Sequence, residues 1–220
     1  MTSTADKLEL KLIQRAYEVE LDLNAMQGLW TEAQYLKLAE QTNHLLEFTD
    51  GRIEGLPMPT RSHQLILLFL YELFNAFLRP RGGIVLVAPM RLRIRAGKWR
   101  EPDLLLLLSA ADPRNQENYW LGADLVVEIV SPDRPEHDLT EKPRDYAEAT
   151  IPEYWIVNPL NETITVLTLD GTAYREHGIF QRGETATSPL IAGCAVAVDG
   201  VFGSVGVRGH GPRTNPTPVE

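Results

Sequence analysis

Cysteine is almost missing from this chain: among 220 residues only Cys194 is a cysteine. A single thiol cannot close an intrachain disulfide, and a zinc site built on several thiolates is excluded with it. A reducing, cytoplasmic setting is the natural expectation. Cys194 itself sits in an apolar Ala/Val segment and reads as packing rather than as a nucleophile. Long apolar runs are also lacking. A bilayer span needs about 20 such residues, whereas the most apolar stretch, residues 65–78, is interrupted by Glu72 and Asn75 and reads as a core helix. No membrane partner is expected, and no signal peptide, because no basic segment followed by an apolar block opens the chain. There is no Walker-type phosphate loop and no Gly-x-Ser-x-Gly elbow. The histidines (His44, His63, His137, His177 and His210) show no paired helical spacing for zinc. Positive charge is scarce: the formal net charge is −9 and the pI about 5.1. Such a field repels phosphate, so any nucleic-acid surface has to be local.

What is present fits one globular domain with a sizeable core, at 44% hydrophobic residues. Residues 1–28 form an N-terminal extension of ambiguous pattern: Leu10, Ile13, Tyr17 and Leu21 suit a helix, while Leu8, Leu10 and Leu12 alternate as in a strand. Thr31 with Gln34 has capping-box spacing and starts a short helix to about Ala39. Residues 45–49 and 52–55 flank Asp50-Gly51 as a hairpin, and residues 62–78 form the longest helical candidate. Strands follow at 84–88, 91–95, 104–108 and 125–130, with a polar loop at 110–122 and another at 132–136. The last of those strands is near-continuously apolar and β-branched, as expected where both faces are covered. A helix over 138–149, a strand over 154–157 and a hairpin around Asp170-Gly171 complete the domain, which spans residues 29–205. The tail from Gly206 is rich in Gly and Pro and reads as disordered. The expected class is α/β (α+β): a mixed sheet flanked by helices, with additional hairpins.

Two carboxylates break into the apolar strands. Arg100-Glu101-Pro102-Asp103 precedes Leu104, and Glu128 lies inside Asp124-Leu125-Val126-Val127-Glu128-Ile129-Val130. Buried strands rarely carry carboxylates without a reason. Oxygen donors converging in this way suit Mg²⁺ or Mn²⁺, which can activate water for phosphodiester cleavage. Just upstream, Arg91, Arg93 and Arg95 alternate, with Lys98 and Arg100 behind them. On a strand these guanidinium groups share one face, which is either a local phosphate-binding stripe or simply a solvated one.

These motifs stand in a particular order. Leu46-Glu47-Phe48-Thr49-Asp50-Gly51-Arg52-Ile53-Glu54 comes first, then Ser62-His63-Gln64, then Glu101-Pro102-Asp103-Leu104. The apolar strand around Glu128 runs on to Ser131-Pro132, and is followed by Asp138, Lys142, Tyr146 and Ile151-Pro152-Glu153-Tyr154-Trp155-Ile156-Val157-Asn158-Pro159. In this order, over about Thr31 to Gly203, the chain resembles the Uma-type (DUF820-like) family of endonucleases in the PD-(D/E)xK superfamily. The resemblance implies a restriction-endonuclease-like fold and a Mg²⁺- or Mn²⁺-dependent site acting on nucleic acid, most readily DNA. Asp103 would bridge the metal, and Glu128 with the backbone carbonyl of Ile129 would complete its site. Glu47 is the extra acidic group of the first hairpin, half-exposed there, and Glu54 ranks below it. His63 matches a family position but also suits a helix cap, and Tyr146 could support the lysine or simply pack.

The usual lysine two residues after the glutamate is replaced by Val130, and Lys142 on the following helix is the candidate in its place. Pro143 complicates that assignment. If the helix begins at Asp138, the proline sits past the first turn and costs about 3 kcal/mol; if Thr140 caps the helix, it is tolerated. A homodimer would suit double-strand cutting. The alternatives are a catalytically inactive protein-interaction module on the same fold and a hydrolase of smaller phosphoesters.

Overall fold

The computed structural model describes residues 11–14, 19–131 and 140–205. In chain order the elements are β1 (Lys11–Gln14), β2 (Val19–Asp22), α1 (Glu32–Glu40), β3 (Leu46–Thr49), β4 (Arg52–Gly55), α2 (Arg61–Leu78), β5 (Ile84–Val87), β6 (Leu92–Arg95), β7 (Lys98–Arg100) and β8 (Leu104–Leu107). They continue with β9 (Leu125–Ile129), α3 (Lys142–Glu148), β10 (Glu153–Asn158), β11 (Thr163–Asp170), β12 (Ala173–Phe180), β13 (Thr185–Thr187), β14 (Ala195–Ala197) and α4 (Val198–Gly203). No helix among the described residues is long and apolar enough to cross a membrane.

The central sheet has the order β12-β11-β10-β9-β8-β5. Only β9 and β10 run parallel; α3 lies between them in sequence, and every other neighbour is antiparallel. The most apolar strands, β8 and β9, are central and wholly buried, as their composition predicts. Their residues alternate between two cores. Leu104, Leu106, Leu125, Val127 and Ile129 pack with Ile66, Leu70 and Phe74 of α2 and with Val201 and Phe202 of α4. Leu105, Leu107 and Val126 face the other way, against Tyr146 of α3, Tyr154, and Leu92 and Ile94 of β6. A smaller sheet, β4-β3-β7-β6, closes that second side and traps its own core of Tyr35, Phe48, Ile53 and Trp99 under α1.

Local signals account for many of the boundaries. Thr31 and Gln34 form the reciprocal capping box of α1. Asp50 and Gly51 both take positive φ, 45° and 84°, in the two-residue turn between β3 and β4. The strand alternative holds for the described part of the N-terminal extension, where β1 pairs with β2 in antiparallel register. Residues 1–10, 15–18 and 206–220 lie outside the described residues, and so do 132–139, which include the 132–136 loop and Asp138. The β13/β14 pair and α4 were not expected from the sequence, since strands of three residues carry too little pattern.

These late elements are tied to the sheet by Glu153, a fully buried residue at the start of β10. One carboxylate oxygen accepts from Trp155 Nε1 at 2.5 Å, the other from Ser188 Oγ at 3.0 Å and the Leu190 N–H at 2.8 Å. Replacing Glu153 with Ala strands three donors, so Glu153→Ala should destabilise the fold by about 2–4 kcal/mol. Glu153→Gln, which keeps an acceptor, should lose clearly less. Urea unfolding of both variants checks this, and equal losses would contradict it.

Candidate active site

Period-two alternation aims Asp103 and Glu128 at the same side of the sheet. Glu128 shares its face with Val126, and Asp103 with Leu105. The antiparallel register Leu104↔Val127, extended by one step, sets the two acids side by side on neighbouring strands. Asp103 Oδ2 accepts the backbone N–H of Ile129 at 2.7 Å, which locks the aspartate to the strand that carries Glu128. Its Oδ1 lies 3.1 Å from Nε2 of His63, which enters from the first turn of α2. Thr60 caps that helix by accepting the His63 N–H at 3.2 Å, so the cap fixes the backbone from which the imidazole reaches. His63 Nδ1 is buried and has no partner among the described residues.

Glu128 is only 2% exposed. A carboxylate at that depth needs compensation, and α3 provides it. Lys142 Nζ lies 2.8 Å from Glu128 Oε2, and the Tyr146 hydroxyl donates to Oε1. Lys142 and Tyr146 are one helical turn apart and therefore share a face. Burial first, then the Glu128 charge, push the Tyr146 phenol well above its usual range, so it stays protonated and able to donate. Pro143 does not disturb this arrangement. α3 begins at Lys142, directly after the helical residues Thr140 and Glu141, and the proline is the second residue of the α-helix, where it is tolerated.

One expectation needs correction. Glu47 is not half-exposed: it is 1% exposed, because β3 is an inner strand covered by β4 and β7. It lines a separate hollow of about 200 Å³ with Arg52, Glu54, Arg100 and Glu141, and its Oε2 lies 3.5 Å from Arg100 Nε. Glu54 is its cross-strand neighbour and is exposed. Of the alternating cations, for which the sequence left a phosphate stripe and a solvated face both open, Arg93, Arg95, Lys98 and Arg100 are paired with carboxylates. Arg95 binds Asp50 and Glu148, each at 2.8 Å, and Arg93 pairs with Glu32. Lys98 bridges Asp145 at 2.7 Å and Glu148 at 2.8 Å. Arg100 is buried, with Nε 2.8 Å from Asp145 Oδ2 and Nη1 2.9 Å from Thr49 Oγ1. Burial pulls the Arg100 guanidinium down, but Glu47 and Asp145 outweigh it and hold it charged. This ladder clamps the outer side of α3 to β6 and β7 while the inner side meets Glu128. The signal for it was the i, i+3 pair Asp145/Glu148 opposite the alternating Lys98 and Arg100.

Asp103, Glu128, Ile129, His63 and Lys142 line one open cleft of about 720 Å³, together with Glu101. Glu101 was part of the sequence motif but carried no assigned role. Its Oε2 accepts the Leu46 N–H at 3.1 Å, and burial raises its carboxyl to about 8, with the Glu47 charge pushing the same way. By donor type the cleft fits a hard divalent cation: two carboxylates, an imidazole and a strand end with carbonyl oxygens. The fit is not preassembled. Among the described residues no three His, Cys, Asp or Glu side chains gather as a metal cluster, and a cation must compete with Lys142 for Glu128.

A sequence model of the Uma2 family, described as "Putative restriction endonuclease", matches residues 32–199. Among solved structures, a putative nuclease belonging to DUF820 from Anabaena variabilis superposes with a TM-score of 0.69 at 21% identity, covering 80% of this chain and 99% of that one. No curated protein matches.

Glu101 makes stability depend on pH in a defined direction. Its folded value near 8 lies above the ordinary 4.5, so the folded state holds a proton that the unfolded chain releases. The stability it contributes is complete below about 4.5 and is lost as pH rises through about 8. Urea midpoints measured at about pH 5 and about pH 8.5 should therefore fall in the wild type, and Glu101→Gln should flatten the fall. An unchanged slope in that variant would contradict the assignment.

Proposed function

The chain belongs to the Uma2 family, described as putative restriction endonucleases, and from that premise we propose that it hydrolyses phosphodiester bonds in DNA with Mg²⁺ or Mn²⁺ as cofactor. The observation that carries the proposal is the pairing of Asp103 and Glu128 on adjacent strands of a cleft that also holds His63 and Lys142. Asp103 and Glu128 would hold the cation, with the Ile129 carbonyl as a further donor. A divalent cation there supplies Lewis-acid polarisation of a phosphate and acidifies water.

The remaining roles belong to the chain. His63 fixes one oxygen of Asp103 and the Ile129 N–H fixes the other, so the aspartate is oriented before anything binds. Tyr146 orients Glu128 through its hydroxyl and acts as a positioning residue. Lys142, held at Glu128, is the ammonium available to meet charge developing on a phosphate. Glu47 lies outside the cleft and acts on it through charge, by way of Arg100 and Glu101.

Plasmid nicking in Mg²⁺, Mn²⁺ or EDTA tests this reading. Asp103→Asn and Glu128→Gln should abolish metal-dependent cleavage without loss of the folding transition. Lys142→Ala should lower the rate by about a hundredfold or more. Tyr146→Phe should raise the metal concentration needed for half-maximal rate more than it lowers the maximal rate. Full activity in Asp103→Asn would overturn the proposal. One observation favours the rival reading, an interaction module on the same fold: both oxygens of Asp103 and both of Glu128 already have partners within the chain. That reading requires the wild type to be inert with every metal.

A further inference from the structure

Asp145 is a buried acid outside the cleft. It is 6% exposed and meets two cations of the smaller sheet: Lys98 Nζ lies 2.7 Å from its Oδ1, and Arg100 Nη2 lies 2.6 Å from its Oδ2. Arg100 reaches on to Glu47, so a buried line of charge runs from the first hairpin to α3. Stability alone is a poor reason for such a line, because apolar residues of the same volume often hold a fold as well or better. The best-attested use of buried charge is to fix one register among several.

The register at issue here is that of α3. The helix is seven residues long, and its N-cap residue, Glu141, makes no capping hydrogen bond with its side chain. A helix of that length has little stability of its own. Its first residue is Lys142, whose ammonium stands 2.8 Å from Glu128 Oε2. At about 3.6 residues per turn, Tyr146 sits about 40° around the axis to one side of Lys142, and Asp145 about 60° to the other. Tyr146 is fully buried in the core beneath the central sheet and donates to Glu128. That contact stops the helix from rolling one way. Asp145, held by Lys98 and Arg100, stops it from rolling the other way. Lys142 lies between the two stops.

We infer that Asp145 is a positioning residue for the cleft. Seated on Lys98 and Arg100, it sets the roll of α3 that keeps the Lys142 ammonium on Glu128, and so sets how strongly a cation must compete for that carboxylate. This deepens the nuclease reading and rests on it for the identity of the cation; the seating of Lys142 stands without it.

Asp145→Asn tests the inference, since it keeps the shape and removes the charge. Lys98 keeps Glu148 at 2.8 Å and Arg100 keeps Thr49 Oγ1 at 2.9 Å, so the variant should fold. In crystals of the variant grown without divalent metal, Lys142 Nζ should lie beyond about 3.5 Å from Glu128 Oε2. Calorimetry should show Mn²⁺ binding tightened by about threefold or more, because a larger fraction of the protein is then competent to bind. Loss of a nearby negative charge by itself weakens cation binding, so tightening reports the lysine. In a Lys142→Met background the same substitution should shift the affinity by less than about twofold. Lys98→Met unloads Asp145 without altering α3, and it serves both measurements should Asp145→Asn fail to fold. A Lys142–Glu128 distance that stays at 2.8 Å, Mn²⁺ binding that is weaker or unchanged, or equal tightening in the Lys142→Met background would overturn the inference. If the wild type takes up no Mn²⁺, the nuclease reading falls and the crystallographic distance decides the role of Asp145. If Mn²⁺ binds and that distance holds, the nuclease reading stands and this inference falls.

Discussion

A carboxylate in the middle of a central strand has to be met by protons, and much of this structure follows from how Glu128 is met. Its two oxygens face Lys142 and Tyr146, so α3 must lie against β9 with those two residues inward. Removing one partner of such a pair leaves a buried charge uncompensated, which costs about 3–5 kcal/mol. The outward side of the same helix is then free to carry Asp145 and Glu148, and these take up Arg100, Lys98 and Arg95 from the smaller sheet. One helix of seven residues thus joins two sheets by charge on both of its sides. Its own length would not hold it helical in water.

The same constraint explains where reactive groups can stand. Asp103 is fixed by the Ile129 N–H and His63, and Glu128 by Lys142 and Tyr146, so each acid reaches the cleft already oriented. Under the proposed function, a cation entering there would have to exchange with Lys142, whose ammonium lies 2.8 Å from Glu128. The ladder of Arg100 and Lys98 behind α3 holds the helix seated independently of Lys142.

Much of this was legible in the sequence because it is local. The Thr31/Gln34 box, the Asp50-Gly51 turn, the α2 helix and the positions of Asp103 and Glu128 relative to apolar strands all rest on short-range pattern. What was missed depends on sheet order. Glu47 looks half-exposed in an isolated hairpin, and becomes buried only because β7, some 50 residues on, pairs with the other edge of β3. The arginines of β6 leave a phosphate stripe and a solvated face both open until acids from the first hairpin and from α3 arrive beside them. Pro143 left the orientation of Lys142 open, and the helix start at Lys142 resolved it in favour of an inward ammonium. Glu101 stood in the motif, but its burial under β3 required a long-range contact to Leu46.

The central claim is that Asp103 and Glu128 form one divalent-cation site in competition with Lys142, and a calorimetric Mn²⁺ titration tests it most directly. The account predicts one site per chain in the wild type, lost in Glu128→Gln and displaced to tighter binding in Lys142→Met, where the competing ammonium is gone. Absence of heat in the wild type, or binding that Glu128→Gln leaves unchanged, would contradict it.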